Sequence, residues 1–286
     1  MAAKGGFSSD MTDSIRSSPI LPSFSLANKV CAVTGAARGL GLEFCRAFLQ
    51  SGCTSLALLD LRAADLDLAV TELLAFHSAI HEGKLDELKV IGIECNVTSE
   101  ENVIAAMDKV VGELGRVDVV VASAGIVENY SALDYPAERA KLLLDINVNG
   151  VFYTAREAAR RMIPQKSGSI ILIGSMSANI VNVPQLQTPY NASKAAVKHM
   201  AASLAVEWAQ HNIRVNCLSP GYMLTKLTRT ILEGDAELKA TWEKLTPMGR
   251  MGEPEDLAAT IVFMASDASK FMTGSEIRVD GGYCAI

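Results

Sequence analysis

Apolar residues along the chain gather into short continuous runs that alternate with longer amphipathic stretches. The first run covers 29–34 and gives way to a helical pattern through 42–49. Further β-type runs read at 55–60, 89–94, 117–122, 169–173, 213–218 and 276–279. Between them the helical period marks 63–81, 99–114, 138–162, 190–211, 235–245 and 255–265. Strands that are apolar throughout, not only at alternate positions, are buried on both faces. Regular alternation of such strands with helices means a parallel sheet. The pattern predicts one α/β domain: a doubly wound parallel sheet of seven strands with helices on both faces. Right-handed crossovers bring the carboxyl ends of all strands to one edge, where ligands of such sheets bind. The stretch from Gly35 to Gly41, Asp60, the residues 122–125, Ser175 and Pro220-Gly221 all fall on that edge.

Composition narrows the class. The chain has 286 residues, 49% of them hydrophobic, which is ample for one large core. A formal charge of −6 with no basic cluster argues against a nucleic-acid partner. No apolar run reaches the roughly 18–20 residues of a membrane span. Cys31, Cys45, Cys53, Cys95, Cys217 and Cys284 are scattered, without metal-ligand spacing, as expected of reduced thiols in a cytoplasmic protein. His77 and His81 share a helix face, but no further ligand accompanies them, so no metal site is expected and the pair reads as a solvated face. His199 and His211 read as surface residues. Residues 1–26 are loose and polar and read as a flexible extension, with Phe24 and Leu26 as candidates for docking on the body at 27–286. The charged stretch 76–88 reads as a surface helix end and loop.

The chemistry starts at Thr34-Gly-Ala-Ala-Arg-Gly-Leu-Gly41. Glycines there allow a tight turn and close approach of a pyrophosphate, and a helix beginning near Gly39 offers free N–H groups to it. Placed between strand and helix, the loop reads as a dinucleotide site, with Gly35, Arg38, Gly39, Leu40 and Gly41 as contacts. Asp60 ends the second strand, followed by Leu61. A carboxylate there accepts from both ribose hydroxyls of NAD and repels the 2′-phosphate of NADP. Arg38 and Arg62 pull toward NADP; NAD is favoured. The competing reading of Asp60 is a helix N-cap. Tyr190 and Lys194 lie one helical turn apart on one face, and Ser175 sits where a strand runs out. A phenol beside a cation ionises more readily, which suits a proton donor or acceptor working on an alcohol or carbonyl.

With the glycine loop, Ser175, Tyr190 and Lys194 in place, the chain from residue 28 onward resembles the short-chain dehydrogenases/reductases. Asp145-Ile-Asn-Val-Asn-Gly150, Pro220-Gly-Tyr-Met-Leu-Thr225 and Val279-Asp-Gly-Gly282 support the likeness. The Asn-Val-Pro-Gln segment before Tyr190 resembles the fungal polyol and sugar-ketone reductases of that family. The resemblance implies a Rossmann-type fold and NAD(P)-dependent hydride transfer between a secondary alcohol and a ketone. It implies Tyr190 as general acid/base, Lys194 holding the nicotinamide ribose and lowering the phenol's pKa, Ser175 on the substrate oxygen, and Asn147 supporting a water relay to Lys194. Asn96, Val97, Ala124, Gly125, Pro220, Gly221, Met223 and Thr225 would complete the cofactor site, with Asn147, Tyr190 and Lys194 reaching it as well. Ser175, Ser177, Tyr190 and Tyr222 would meet the substrate. The chain departs from the family pattern at Ala122-Ser-Ala-Gly125, which stands for Asn-Asn-Ala-Gly. It departs again at Asn96-Val97, which stands for Asp-Val and keeps an acceptor for the adenine amino group.

Residues 222–247 read as a substrate lid, with Leu224, Leu227, Ile231 and Leu232 as its apolar inner face and Trp242 assisting. Met248 and Met251 read as packing residues. By resemblance, the helices at 138–162 and 190–211 pair across a two-fold axis and the C-terminal end helps form a homotetramer. Two alternatives to an alcohol/ketone oxidoreductase stay open: a dinucleotide-binding scaffold without turnover, and a family member repurposed for another biosynthetic step.

Overall fold

The structure, a computed structural model, describes residues 21–80 and 88–286, apart from the side chains of Leu227 and Ile231. The continuous apolar runs become strands β1 (Val30–Thr34), β2 (Ser55–Asp60), β3 (Lys89–Glu94), β4 (Val119–Ala122), β5 (Gly168–Ile173), β6 (Ile213–Pro220) and β7 (Glu276–Val279). They form one parallel sheet in the order β3-β2-β1-β4-β5-β6-β7. Every residue of β1 and β4 is buried, as strands covered on both faces must be. The order reverses between β1 and β4, which opens a crevice at their carboxyl ends.

Nine helices are described: α1 (Gly39–Gln50), α2 (Ala63–Ile80), α3 (Glu100–Leu114), α4 (Ala137–Leu144), α5 (Val151–Gln165), α6 (Thr188–Trp208), α7 (Lys226–Glu233), α8 (Ala236–Leu245) and α9 (Ala258–Ala265). Alternate strand residues divide between two cores. Ala32, Val120, Ile170 and Val215 face Met107 of α3, Ala155 and Met162 of α5, and Val197 of α6. Cys31, Val33, Val121 and Ile171 face Phe44 and Phe48 of α1, Leu73 of α2 and Ile261 of α9. Each fully buried Leu or Phe of this kind contributes about 1.5–3 kcal/mol of transfer free energy, so the two layers hold the sheet between them.

Several details differ from the sequence expectation. The predicted helix 138–162 is broken by a π-helical turn, Asp145–Gly150, between α4 and α5. Helix α3 begins one residue later than expected because Ser99 caps it, its hydroxyl accepting from Asn102 N at 3.2 Å. Strand β4 begins at Val119, and the Asp118 carboxylate just before it accepts from Val30 N at 2.9 Å. His77 is buried, not solvated: it continues the inward stripe Leu66, Ala69, Leu73 of α2 at helical spacing. His81 lies outside the described residues, as does most of the expected loop in 76–88. His199 is exposed, and His211 is partly so. Met248 is exposed, whereas Met251 is packed.

The extension expected over 1–26 falls largely outside the described residues. Its last six residues are described. Leu26 is fully buried, and Phe24 meets Phe263 of α9 with ring centroids 6.1 Å apart. No described helix is long and apolar enough to cross a membrane.

Candidate active site

The glycine loop is built by close contact. A Cβ on Gly41 would sit 2.2 Å from the Gly35 carbonyl oxygen, and one on Gly35 would sit 2.8 Å from Ala124 Cα. Gly39 differs: it has φ +59° and faces open space at the first turn of α1. No side chain caps that helix start, which leaves its first N–H groups for a ligand. Thr34 Oγ1 accepts from Ser123 N at 3.1 Å and Ala124 N at 3.3 Å, tying the loop after β4 to the end of β1. The cradle fits a pyrophosphate: uncapped N–H groups, a left-handed glycine with room above it, and neighbouring backbone held in place.

Asp60 lies at the end of β2. Its carboxylate accepts from Ala37 N at 2.9 Å and Leu61 N at 2.7 Å, so it ties the glycine loop to the strand end and does not cap α2. Leu61, beside it, is exposed. Arg62 is paired with Asp65 at 2.5 Å, while Arg38 is exposed and makes no ion pair with a described residue. Asn96 spends its carboxamide oxygen on Thr98, from N at 3.0 Å and Oγ1 at 2.8 Å. That oxygen therefore serves its own turn. Val97 and Met223 are both packed in the core, the first against Gly150 and the second against Gly252.

Ser175, Tyr190 and Lys194 converge at the carboxyl ends of β5 and the start of α6. Ser175 lies beside the Tyr190 phenol, close enough to favour its ionised form, and Lys194 Nζ lies 5.6 Å from the Tyr190 ring centroid. Lys194 is buried and donates to the Ile173 carbonyl at 2.8 Å, which leaves two of its N–H bonds for other acceptors. Burial lowers Lys194 to about 8. The expectation that Lys194 lowers the phenol is not met here. Burial raises Tyr190 above its ordinary value, and only Ser175 works against it. The physical reason is desolvation: burial penalises the phenolate by more than its neighbours favour it.

Asn147 lies in the π-helical turn and is fully buried. Its Nδ2 donates to the Ile126 carbonyl at 2.9 Å and to Ser193 Oγ at 3.1 Å, and its Oδ1 accepts from Ile126 N at 2.9 Å. Ser193 in turn donates to the Tyr190 carbonyl at 2.7 Å. A Cβ on Gly125 would lie 3.3 Å from Asn147 Oδ1 and 3.6 Å from Lys194 Nζ, so these three residues meet at one point. A π turn of this kind often marks a functional site. Ser193 and Ile126 were not singled out by sequence reasoning. Their only local sign is their adjacency to Lys194 and Gly125.

Beside Ser175 lie the loop after β5 and the segment after β6. Ser177 is buried beside Ser175 and is hydrogen-bonded to Ser175 and Asn182. Tyr222 stacks on Trp242 with centroids 4.1 Å apart, and Tyr283 meets it edge-on at 5.5 Å. Trp242, Leu232 and Met251 form a small separate core with Tyr222, Leu224 and Leu238, so the segment 222–247 has apolar packing of its own. The side chains of Leu227 and Ile231, expected on its inner face, lie outside those described. Thr225 caps α7, accepting from Thr228 N at 3.3 Å. Pro220 is buried at the end of β6, and Gly221 N donates to Val279 O at 2.9 Å. Tyr283 was not anticipated either; an aromatic directly after Asp280-Gly-Gly was the available sign.

Comparison with known proteins agrees in fold and chemistry. Residues 35–284 match the family described as enoyl-(acyl carrier protein) reductase. The D-arabinitol 2-dehydrogenase (ribulose-forming) of Candida tropicalis is 42% identical over 92% of this chain and 95% of its own. The crystal structure of gox2181 superposes with a TM-score of 0.85 at 40% identity, over 93% of this chain and 99% of that one. A gluconate 5-dehydrogenase from Burkholderia cenocepacia J2315, solved with NADP and tartrate, gives a TM-score of 0.83 at 29% identity, over 92% and 98%.

Proposed function

The chain belongs to the short-chain dehydrogenases/reductases and is an NAD(P)-dependent oxidoreductase acting between an alcohol and a ketone; from that premise we propose how its residues share the work. The observation that carries the reading is the meeting of Ser175, Tyr190 and Lys194 beside the glycine cradle. The bound nicotinamide supplies or accepts the hydride. Tyr190 gives its proton to the carbonyl oxygen in reduction and takes it from the hydroxyl in oxidation. Burial of the phenol keeps it protonated at neutral pH, as the reductive direction needs.

Ser175 hydrogen-bonds the same substrate oxygen. Lys194, still largely protonated near neutrality, stabilises the phenolate left on Tyr190 and turns its two remaining N–H bonds toward the ribose hydroxyls. Asn147 works as a positioning residue: its carboxamide holds Ile126 and Ser193, and so holds the loop at Gly125 and the first turn of α6.

NAD is the favoured cofactor, supported by the Asp60 carboxylate at the end of β2, close to the glycine loop that it ties. A linear polyol and its 2-ketose are the favoured substrate pair, supported by the likeness to a D-arabinitol dehydrogenase. The segment 222–247 acts as the lid. The site reading is tested by Tyr190→Phe, assayed through absorbance of the reduced nicotinamide with D-arabinitol and related polyols. Turnover should fall by about 10²–10⁴-fold, the span of general acid/base catalysis, with cofactor affinity nearly unchanged. Retained turnover would remove Tyr190 from its role. Six free thiols are in keeping with a reducing compartment such as the cytoplasm.

A further inference from the structure

Gln187 is the last residue before α6, three before Tyr190, and the reaction as described does not use it. It is 6% exposed, and its side chain does not cap the helix. Its backbone is tied on both sides. The Leu186 carbonyl accepts from Tyr130 N at 2.9 Å, and the Gln187 carbonyl accepts from Asn191 N at 3.0 Å. The first bond reaches the loop after β4, whose Gly125 meets Asn147 and Lys194. In the other direction Gln187 is hydrogen-bonded to Asn182, Asn182 to Ser177, and Ser177 to Ser175. Gln187 therefore sits where the loop after β4, the loop after β5 and the start of α6 come together around the reacting groups.

A carboxamide carries two N–H donors and one oxygen acceptor. Gln187 Nε2 donates to Asn182 Oδ1 at 2.8 Å and to Asn191 Oδ1 at 3.0 Å, so both donors are used. Exchanging its oxygen and nitrogen would set oxygen against oxygen at both asparagines. Asn182 is held in its turn, because its Nδ2 donates to the Tyr222 hydroxyl at 3.1 Å. The Gln187 oxygen accepts from no described group, and it is not sealed from solvent. An open acceptor on a side chain otherwise nine-tenths buried calls for a partner from outside the chain. That partner is a donor, since the free atom only accepts.

We propose that Gln187 is a specificity-determining residue whose carboxamide oxygen accepts a hydrogen bond from a second hydroxyl of the substrate, one that does not react. The class it selects is the polyol or hydroxy ketone, against the monohydric alcohol or plain ketone. The proposal rests on the polyol reading given above and names the group that enforces it. Ser175 and Tyr190 engage the reacting oxygen whatever else the molecule carries, so they do not separate the two classes. Gln187 does, because a substrate without the second hydroxyl takes the place of water and leaves that oxygen without a donor. With Nε2 already pinned by two asparagines, the acceptor needs little ordering when the substrate arrives.

The test crosses the residue with the substrate hydroxyls, using the full-length enzyme, NAD, D-arabinitol and the monohydric 2-pentanol, with melting temperature measured on each variant. Gln187→Met removes the carboxamide and keeps the length of the side chain. It should lower kcat/KM for D-arabinitol by about three- to tenfold, the worth of one neutral hydrogen bond. The value for 2-pentanol and the affinity for NAD should each stay within about twofold, because neither depends on the second hydroxyl. Where 2-pentanol turns over too slowly to follow, its inhibition of D-arabinitol oxidation gives the same comparison.

A merely structural Gln187 would lower the melting temperature and both activities together, which would overturn the proposal. Should Gln187→Met fail to bind NAD, Gln187→Ala carries the same comparison, being smaller than the residue it replaces and free of side-chain polar atoms. Loss of NAD binding in both variants would make the residue structural and overturn the proposal as well. A wild-type enzyme that oxidises no polyol would remove the polyol reading, and the proposal with it. A wild-type preference for D-arabinitol that survives Gln187→Met would leave the polyol reading standing and remove only the proposal.

Discussion

Lys194 is the residue whose burial has the most measurable consequence. Its folded value of about 8 lies below the ordinary 10.5 of lysine because its ammonium is desolvated. Between those two values the unfolded chain binds a proton there and the folded chain does not, so stability rises with pH through that window. Compared with Lys194→Met, the wild-type protein should gain up to about 3 kcal/mol between pH 8 and pH 10.5 in denaturant titrations, each pH unit crossed adding about 1.4 kcal/mol. A pH-independent difference would place Lys194 at its solution value.

Asp60 offers a second residue-scale check. Asp60→Ser should lower the preference for NAD over NADP by about tenfold or more in titrations of each dinucleotide, one tenfold step being about 1.4 kcal/mol. Loss of the bonds to Ala37 N and Leu61 N should weaken NAD binding as well. At this scale the spacing of Tyr190 and Lys194 was legible, because residues four apart on a helix are neighbours in any fold. The commitment of Asn96 to Thr98, and of Asn147 to Ile126 and Ser193, was not. A side chain's partners are a property of the folded neighbourhood, not of its type.

The strand–loop–helix unit from β1 to α1 is where local chemistry and tertiary packing agree most closely. Its three glycines serve different needs, and substitution should separate them. Gly41→Ala drives a carbon into the Gly35 carbonyl, so it should destabilise the protein by about 1–3 kcal/mol and abolish dinucleotide binding in fluorescence titrations. Gly39→Ala meets no atom within 4 Å and should show only the left-handed backbone cost of about 1–2 kcal/mol. Equal effects from the two would mean that the close contact is not what matters. Other elements were less legible. Helix α7 was hidden because Thr228 and Thr230 are weak helix formers and its pattern resembled a loop. The π turn at Asp145–Gly150 was hidden because one extra residue per turn leaves the apolar pattern on either side intact.

For the whole molecule, the same sheet that buries both faces leaves several large apolar side chains outside, among them Leu133, Val206, Phe271 and Ile286. Apolar side chains scattered singly are ordinary on a folded surface, so the subunit arrangement is argued from the family resemblance. The expectation is a homotetramer, with α4, α5 and α6 pairing across a two-fold axis and the C-terminal end completing the assembly. Sedimentation at micromolar concentration should give about four times the 30.5 kDa chain mass, and a monomeric mass would contradict it.

The sequence by itself determined the layered parallel sheet, the edge on which a ligand binds, the glycine cradle and the helical pairing of Tyr190 with Lys194. All of these follow from short-range periodicity and from a few residues close together in the chain. Only the tertiary structure decided that His77 turns inward, that burial dominates the ionisation of Tyr190 and Lys194, and that Ser177 is buried beside Ser175. It alone joined Ser175 to Tyr222, far along the chain, through Asn182. Hydrogen-bond partners and desolvation depend on which distant segments come within about 3 Å, and no local pattern carries that information.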